Sequence, residues 1–116
     1  MSTAPVIRPR ERRVNGCGEA SVAPDLSAAH ALALASRMRS LADPTRLQIL
    51  DVLRKAAPDT LCQCELTPLF QMSQQALSKH LKVLTGAGVI GSERRGLWTY
   101  YFLVPQGLEE VRSWLA

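Results

Sequence analysis

The chain has 116 residues, a net charge of +4 and 47% hydrophobic residues. That length suits one domain, and its longest apolar run, AAHALALA at 28–35, is far below the roughly 20 residues a membrane span needs. No apolar block follows the N-terminal charges, so no secretory signal, no membrane partner and a cytoplasmic location are expected, while the basic balance favours an anionic partner, nucleic acid first.

Residues 1–22 are polar and broken by Pro5, Pro9, Gly16 and Gly18. Arg8, Arg10, Arg12 and Arg13 crowd the same span. This reads as a flexible basic N-terminal arm, and residues 23–116 as one folded unit. From Asp25 the pattern turns helical, with Leu26, Ala29, Ala33, Leu34 and Met38 near helical spacing. A first helix rich in Ala and Leu packs closely on another helix and is a candidate dimer element. In ADPTRLQILDVLRKA (42–56), Asp43 is a predicted N-cap and Pro44 sits where its missing N–H costs nothing. Leu47, Ile49, Leu50 and Leu53 are the expected buried face, and Pro58–Asp59 ends the helix.

Next, a short helix is expected at about Glu65 to Phe70, then a tight turn at Gln71–Met72. A second helix begins at the N-cap Ser73, with Leu77, Leu81 and Leu84 facing inward and Gly88 closing its C-terminus. Two helices about a short turn make a helix-turn-helix. The polar face of the second helix holds Gln74, Gln75, Ser78, Lys79, His80 and Lys82. Gln pairs with adenine, Lys reaches guanine or phosphate, and Ser and His reach either. VIGSERRGLWTYYFLV alternates as a β-hairpin with a charged turn at Glu93 to Gly96. Trp98, Tyr100 and Phe102 share one face, expected to serve wing and core packing. Arg94 and Arg95 at the tip suit phosphate oxygens, as does Lys82. The stretch after Pro105 is a last amphipathic helix, with Leu108, Val111, Trp114 and Leu115 apolar. The chain is thus expected to be mainly α with a small β-hairpin wing, an α+β winged helix-turn-helix. No nucleophile–base pair, phosphate loop or carboxylate pair emerges, so an enzyme is not expected.

The cysteines number three: Cys17, Cys62 and Cys64. An odd count argues against a disulfide scaffold, and three thiolates fit a three-coordinate soft ion. Core filling and a thiol-redox switch are the other readings; Cys62 would pair with Cys64 only through a strained ring, whereas Cys17 to either is feasible.

LADPTRLQILDVL, LCQCEL, MSQQALSKHLKVLTGAGVI and ERRGLWTYY, in that order, resemble the ArsR/SmtB family of metalloregulatory winged-helix repressors, arsenic-responsive branch, over about residues 27–116. The resemblance implies a homodimer through the first and last helices. It also implies binding to double-stranded operator DNA, released when a metal or metalloid binds. Cys62 and Cys64 match the Cys-x-Cys pair that opens the first helix of the helix-turn-helix in the arsenic- and cadmium/lead-sensing branches. The third cysteine of the commonest arsenic pattern falls at Thr67, so that pattern is broken. In cadmium/lead-sensing relatives N-terminal cysteines join the other subunit's pair, which makes Cys17 the candidate third ligand. At about 3.3 Å per extended residue, the arm has the reach.

Sulfurs at i and i+2 of a regular helix point about 200° apart. Binding both therefore requires an extended segment at Cys62 or an unwound first turn, either of which would move the support of the recognition helix. Three thiolates suit As(III) or Sb(III) as inducer, with Pb(II) or Cd(II) ranked second, because Cd(II) prefers a fourth ligand. A lone His30 on the first helix is read as structural. The last helix offers Glu109 and Glu110 but no His, so no zinc or nickel site is expected there.

Overall fold

The structure, a computed structural model, describes Gly18 and residues 21–116. Cys17 and the arginines of the expected arm lie outside the described residues. Among the described residues, five helices and three short strands follow in the order α1 (Ala28–Leu41), α2 (Pro44–Ala56), β1 (Leu61–Cys62), α3 (Gln63–Leu66), α4 (Gln74–Gly86), β2 (Ile90–Arg95), β3 (Trp98–Leu103) and α5 (Pro105–Leu115). A 3₁₀ turn at Thr67–Leu69 extends α3. The expected α+β winged helix-turn-helix is what forms.

Side chains start the main helices as their chemistry dictates. Ser27 Oγ accepts the His30 N–H, Asp43 the Arg46 N–H, and Ser73 Oγ the Ala76 N–H, each satisfying a donor that the first helical turn leaves unpaired. Gly88 takes φ +75° just past α4, a conformation in which a Cβ is strained.

The core is one cluster: Ile49, Leu50 and Leu53 of α2, Leu66 of α3, Leu77, Leu81 and Leu84 of α4, and Val89 and Ile90 entering β2. Leu47, expected with the buried face of α2, is instead 52% exposed. At 100° per residue it stands beyond Leu50, on the far side from Ile49.

Two expectations for the wing need correction. The strands continue through the residues expected to turn, pairing Arg94 with Thr99 and Arg95 with Trp98. The turn is the two residues Gly96–Leu97, with Gly96 at φ +62°, the positive φ such tight hairpins demand. Moreover, Tyr101 and Leu103 are the β3 residues packed on the core. Trp98, Tyr100 and Phe102 therefore occupy the opposite face, because successive strand side chains alternate. The sheet also has a third strand: β1 pairs antiparallel with β3, Leu61 opposite Tyr101 and Cys62 opposite Tyr100, giving the order β1-β3-β2. No described helix is long and apolar enough to cross a membrane.

Candidate nucleic-acid interface and thiol site

α4 separates its two faces cleanly. Leu77, Leu81 and Leu84 are buried, while Gln74, Gln75, Ser78, Lys79 and Lys82 are exposed. At 100° per residue these five polar side chains fall within one arc of about 140°. Ser73 caps the helix at the N-terminal edge of that arc, and two ammonium groups add positive charge to it.

His80 does not belong to that arc. It follows Lys79 by a further 100°, and its Nδ1 lies 3.4 Å from Arg46 Nη1 and 3.8 Å from Asp43 Oδ2, at the start of α2. Arg46 also donates to the carbonyls of Ser40 at 2.6 Å and Arg39 at 3.3 Å. One guanidinium thereby ties the end of α1 and the His80 side of α4 to the first turn of α2. The backbone N–H of Arg46, and secondarily the nearby His80, hold the Asp43 carboxyl below its ordinary value. His80, expected at the groove, thus stands beside Arg46 and Asp43 and links α4 to the start of α2.

The wing arginines differ from each other. Arg95 pairs with Glu93 at 3.1 Å and lies over the Tyr100 ring, 4.8 Å from its centroid. Arg94 points to the other face and, among the described residues, donates only its Nε, to the Gly96 carbonyl at 3.3 Å. Its terminal nitrogens stay available to an anion. Both arginines are exposed, and Leu97 at the tip is 87% exposed.

Cys62 and Cys64 are brought together where β1 meets α3. Cys62 is the N-cap of α3, with φ −68° and ψ 148°, and is buried at 2% exposure; Cys64 is exposed. Because Cys62 is extended, its sulfur turns toward Cys64 rather than 200° away. The two are joined as a disulfide, with Cα atoms 5.1 Å apart, inside the ordinary range for such a bond. The sequence reading favoured Cys17 as the redox partner of either; the structure pairs the two neighbours. Cys62 Sγ accepts the Cys64 N–H at 3.1 Å, and Glu65 Oε1 accepts the Cys62 N–H at 3.1 Å.

That reciprocal cap was legible and missed. Cys62-Gln-Cys-Glu65 has the spacing of a Ser/Thr-x-x-Glu capping box with sulfur in place of hydroxyl, and it puts the helix start at Gln63 rather than about Glu65. Gln63, between the cysteines, was also missed: its Nε2 donates to Ser78 Oγ at 2.6 Å and to the Gln74 carbonyl at 3.2 Å. Among the described residues no group of three or more His, Cys, Asp or Glu side chains is placed to hold a metal ion. The described residues thus supply two cysteine sulfurs, and any third thiolate must come from Cys17 or from another molecule.

A recognition helix braced by a preceding short helix, beside a basic two-stranded wing, defines a winged helix-turn-helix transcriptional regulator. Residues 43–92 match the model of the bacterial regulatory protein arsR family. The chain is 38% identical over 80 residues to an arsenical resistance operon repressor of Staphylococcus xylosus, covering 69% of this chain and 74% of that one. It is 40% identical over 67 residues to the arsenical resistance operon repressor of Bacillus subtilis, covering 58% of this chain and 62% of that one. An ArsR-like transcriptional regulator from Rhodococcus superposes with a TM-score of 0.65 at 28% identity, over 75% of this chain and 79% of its own. The protein belongs to the ArsR family of transcriptional repressors.

Proposed function

We propose that this repressor binds its operator as a homodimer and releases it when trivalent arsenic or antimony is captured by cysteine thiolates. The observation that carries the reading is the convergence of Cys62 and Cys64 at the N-terminus of the helix bracing α4. Reduction of their bond by two equivalents of a cellular thiol, which leave as a disulfide after giving up two electrons and two protons, frees two thiols on one side of the chain. Arsenous acid then exchanges hydroxyls for thiolates, one water leaving for each As–S bond formed. Cys17 supplies the third sulfur of the pyramid, from the arm of the same or the partner subunit. Cd(II) ranks below the trivalent ions because it prefers a fourth ligand that three sulfurs do not supply, and Pb(II), which also accepts three sulfurs, is ranked with it.

On the DNA side, Gln74, Gln75, Ser78 and Lys79 read or clamp the major groove, Ser73 orients the helix, and Lys82, Arg94 and Arg95 take phosphates. His80 acts through Arg46 and Asp43. Dimerisation through α1 and α5 is supported by the apolar side chains those helices expose: Leu32 at 68%, Trp114 at 54% and Leu115 at 65%. A repressor works beside the chromosome, which places the protein in the cytoplasm.

The test is operator binding followed by fluorescence anisotropy under reducing conditions, titrated with As(III), Sb(III), Cd(II) and Pb(II), on wild type and each Cys→Ser variant. The expected result is release by As(III) or Sb(III), lost in Cys62→Ser and Cys64→Ser with operator affinity retained. Operator binding indifferent to As(III) and Sb(III) sinks the reading. A thiol-redox switch is the second reading, favoured by the pairing of Cys62 with Cys64. It predicts release by peroxide, reversed by a dithiol, with no need of any ion.

A further inference from the structure

The two cysteines and the groove-facing side of α4 are connected by one side chain that neither the family pattern nor the sequence reading singled out. Gln63 is the residue between Cys62 and Cys64 and the first residue of α3. Its carboxamide nitrogen spans to α4, donating to the hydroxyl of Ser78 at 2.6 Å and to the main-chain carbonyl of Gln74 at 3.2 Å. Gln74 and Ser78 are successive turns of one face, and both lie in the polar arc expected to meet DNA. At its other end Gln63 is anchored by its own carbonyl, which accepts the Thr67 backbone N–H and the Thr67 hydroxyl, the latter at 2.8 Å.

The flanking residues give that anchor little freedom to drift alone. Cys62 is held in the ladder opposite Tyr100, and the Cys64 N–H is tied to Cys62 Sγ. Rotating the backbone at either cysteine rotates the Cα of Gln63 and swings its carboxamide, because a side chain only a few bonds long cannot absorb the change and still reach two acceptors. Ser78 then loses a donor, and the hydroxyl is free to reorient toward its own helix rather than toward a base or phosphate. The Gln74 carbonyl loses its extra-helical bond in the first turn, where fraying begins.

We infer that Gln63 is a positioning residue: a latch that transmits the state of the Cys62–Cys64 pair to the first two turns of the recognition helix. The inference rests on the thiol-inducer reading above for its biological signal. Its physical content is separate, namely that a chemical change at the sulfurs reaches Gln74 and Ser78 through one carboxamide.

The test uses the full chain. Amide resonances of the DNA-free, reduced protein are recorded with and without arsenite, in wild type, Gln63→Ala and Ser78→Ala. Arsenite binding is measured independently by the ultraviolet absorbance of its thiolate bonds. Wild type should show arsenite-induced shifts at residues 74–78. Gln63→Ala should bind arsenite within about twofold of wild type yet lose those shifts, an outcome that a residue serving only the fold would not give. The ratio of operator Kd with and without arsenite should shrink about fivefold or more, the scale of one or two lost hydrogen bonds. Ser78→Ala should shrink it similarly, and the double variant no further, since the two act through one contact.

A Gln63→Ala protein that responds like wild type overturns the latch, as does a wild type whose residues 74–78 ignore arsenite bound at the cysteines. Shifts at 74–78 without operator release would sustain the latch and sink the inducer reading. Operator release that survives Gln63→Ala would do the reverse.

Discussion

Gly107 is the residue on which the seat of α5 depends. It is the third residue of that helix and is buried. A Cβ added there would stand 2.2 Å from the Gly88 carbonyl oxygen, 2.9 Å from the Gly88 carbonyl carbon and 3.2 Å from Val89 Cα. All three are backbone atoms, and they cannot retreat. Gly88 is fixed at φ +75°, the Val89 N–H is bonded to the Leu84 carbonyl, and the Val89 carbonyl accepts the Val104 N–H at 2.9 Å. In Gly107→Ala, α5 must therefore lift by about 1 Å to restore van der Waals contact. Overpacking of this kind costs about 1–3 kcal/mol, and the lift also draws Val111 and Leu108 away from their packing. Against it stands a helix-propensity gain of about 1 kcal/mol. A net loss is expected. Gly86 provides the control: it ends α4, and a Cβ there meets nothing within 4 Å. Gly86→Ala keeps the propensity gain without the clash and should stabilise by roughly 0.5–1 kcal/mol. Urea unfolding of both variants at one fixed protein concentration reads the two signs. A Gly107→Ala protein as stable as Gly86→Ala would mean that α5 does not lie against the Gly88 turn.

Other expectations follow from single observations. Leu66 is 0% exposed in the core cluster it shares with Leu77, Leu81 and Leu84, so Leu66→Ala should lose about 2–5 kcal/mol in the same unfolding assay. Arg94→Ala should lower the slope of log operator affinity against log salt by about 0.9, one phosphate contact; Arg95→Ala should lower it less, because Glu93 and Tyr100 already hold that guanidinium. Asp43 has a depressed folded pKa. The stability it contributes is therefore present above the ordinary carboxylate range and lost as pH falls through the depressed value. Asp43→Asn, a neutral cap of similar quality, should flatten that acid limb in thermal melts taken from about pH 6 downward.

What could be read from the chain followed from local rules. The caps Ser73 and Asp43, the leucine spacing of α4 and the left-handed Gly88 are each decided within a few residues, and they came out as expected. The wing strands were visible as alternation, but alternation does not say which face is inside. Tyr101 and Leu103 win the core because β3 lies over α2 and α3 on that side, a tertiary fact. Strand β1 is two residues long, too short to carry a period, and it exists only because Tyr100 and Tyr101 offer it a partner. Likewise His80 carries the right chemistry for DNA, and the approach of Arg46 from another helix leaves no mark in its local spacing. The Gln63 contact joins residues 15 apart in sequence, with no local signature at all.

Under the proposed capture of an inducer by thiolates, the backbone at Cys62 changes what the signal must be. Had both cysteines lain in a regular helix, capturing one ion would have required unwinding a turn of α3, against the burial of Leu66. With Cys62 at ψ 148°, the sulfurs already share a side and no helix need melt. The short segment that carries them is instead attached to both DNA-facing parts of the fold. Through the ladder, Cys62 stands opposite Tyr100, whose ring supports Arg95 of the wing. Through Gln63 it holds the first turns of α4, and through Leu66 it packs beneath that helix. Emptying an operator takes a coupling of about 1–3 kcal/mol, the scale of a few displaced hydrogen bonds. Displacing contacts at this junction meets that requirement while Leu77, Leu81 and Leu84 remain packed, so the switch and the stability of the core can be set by different residues.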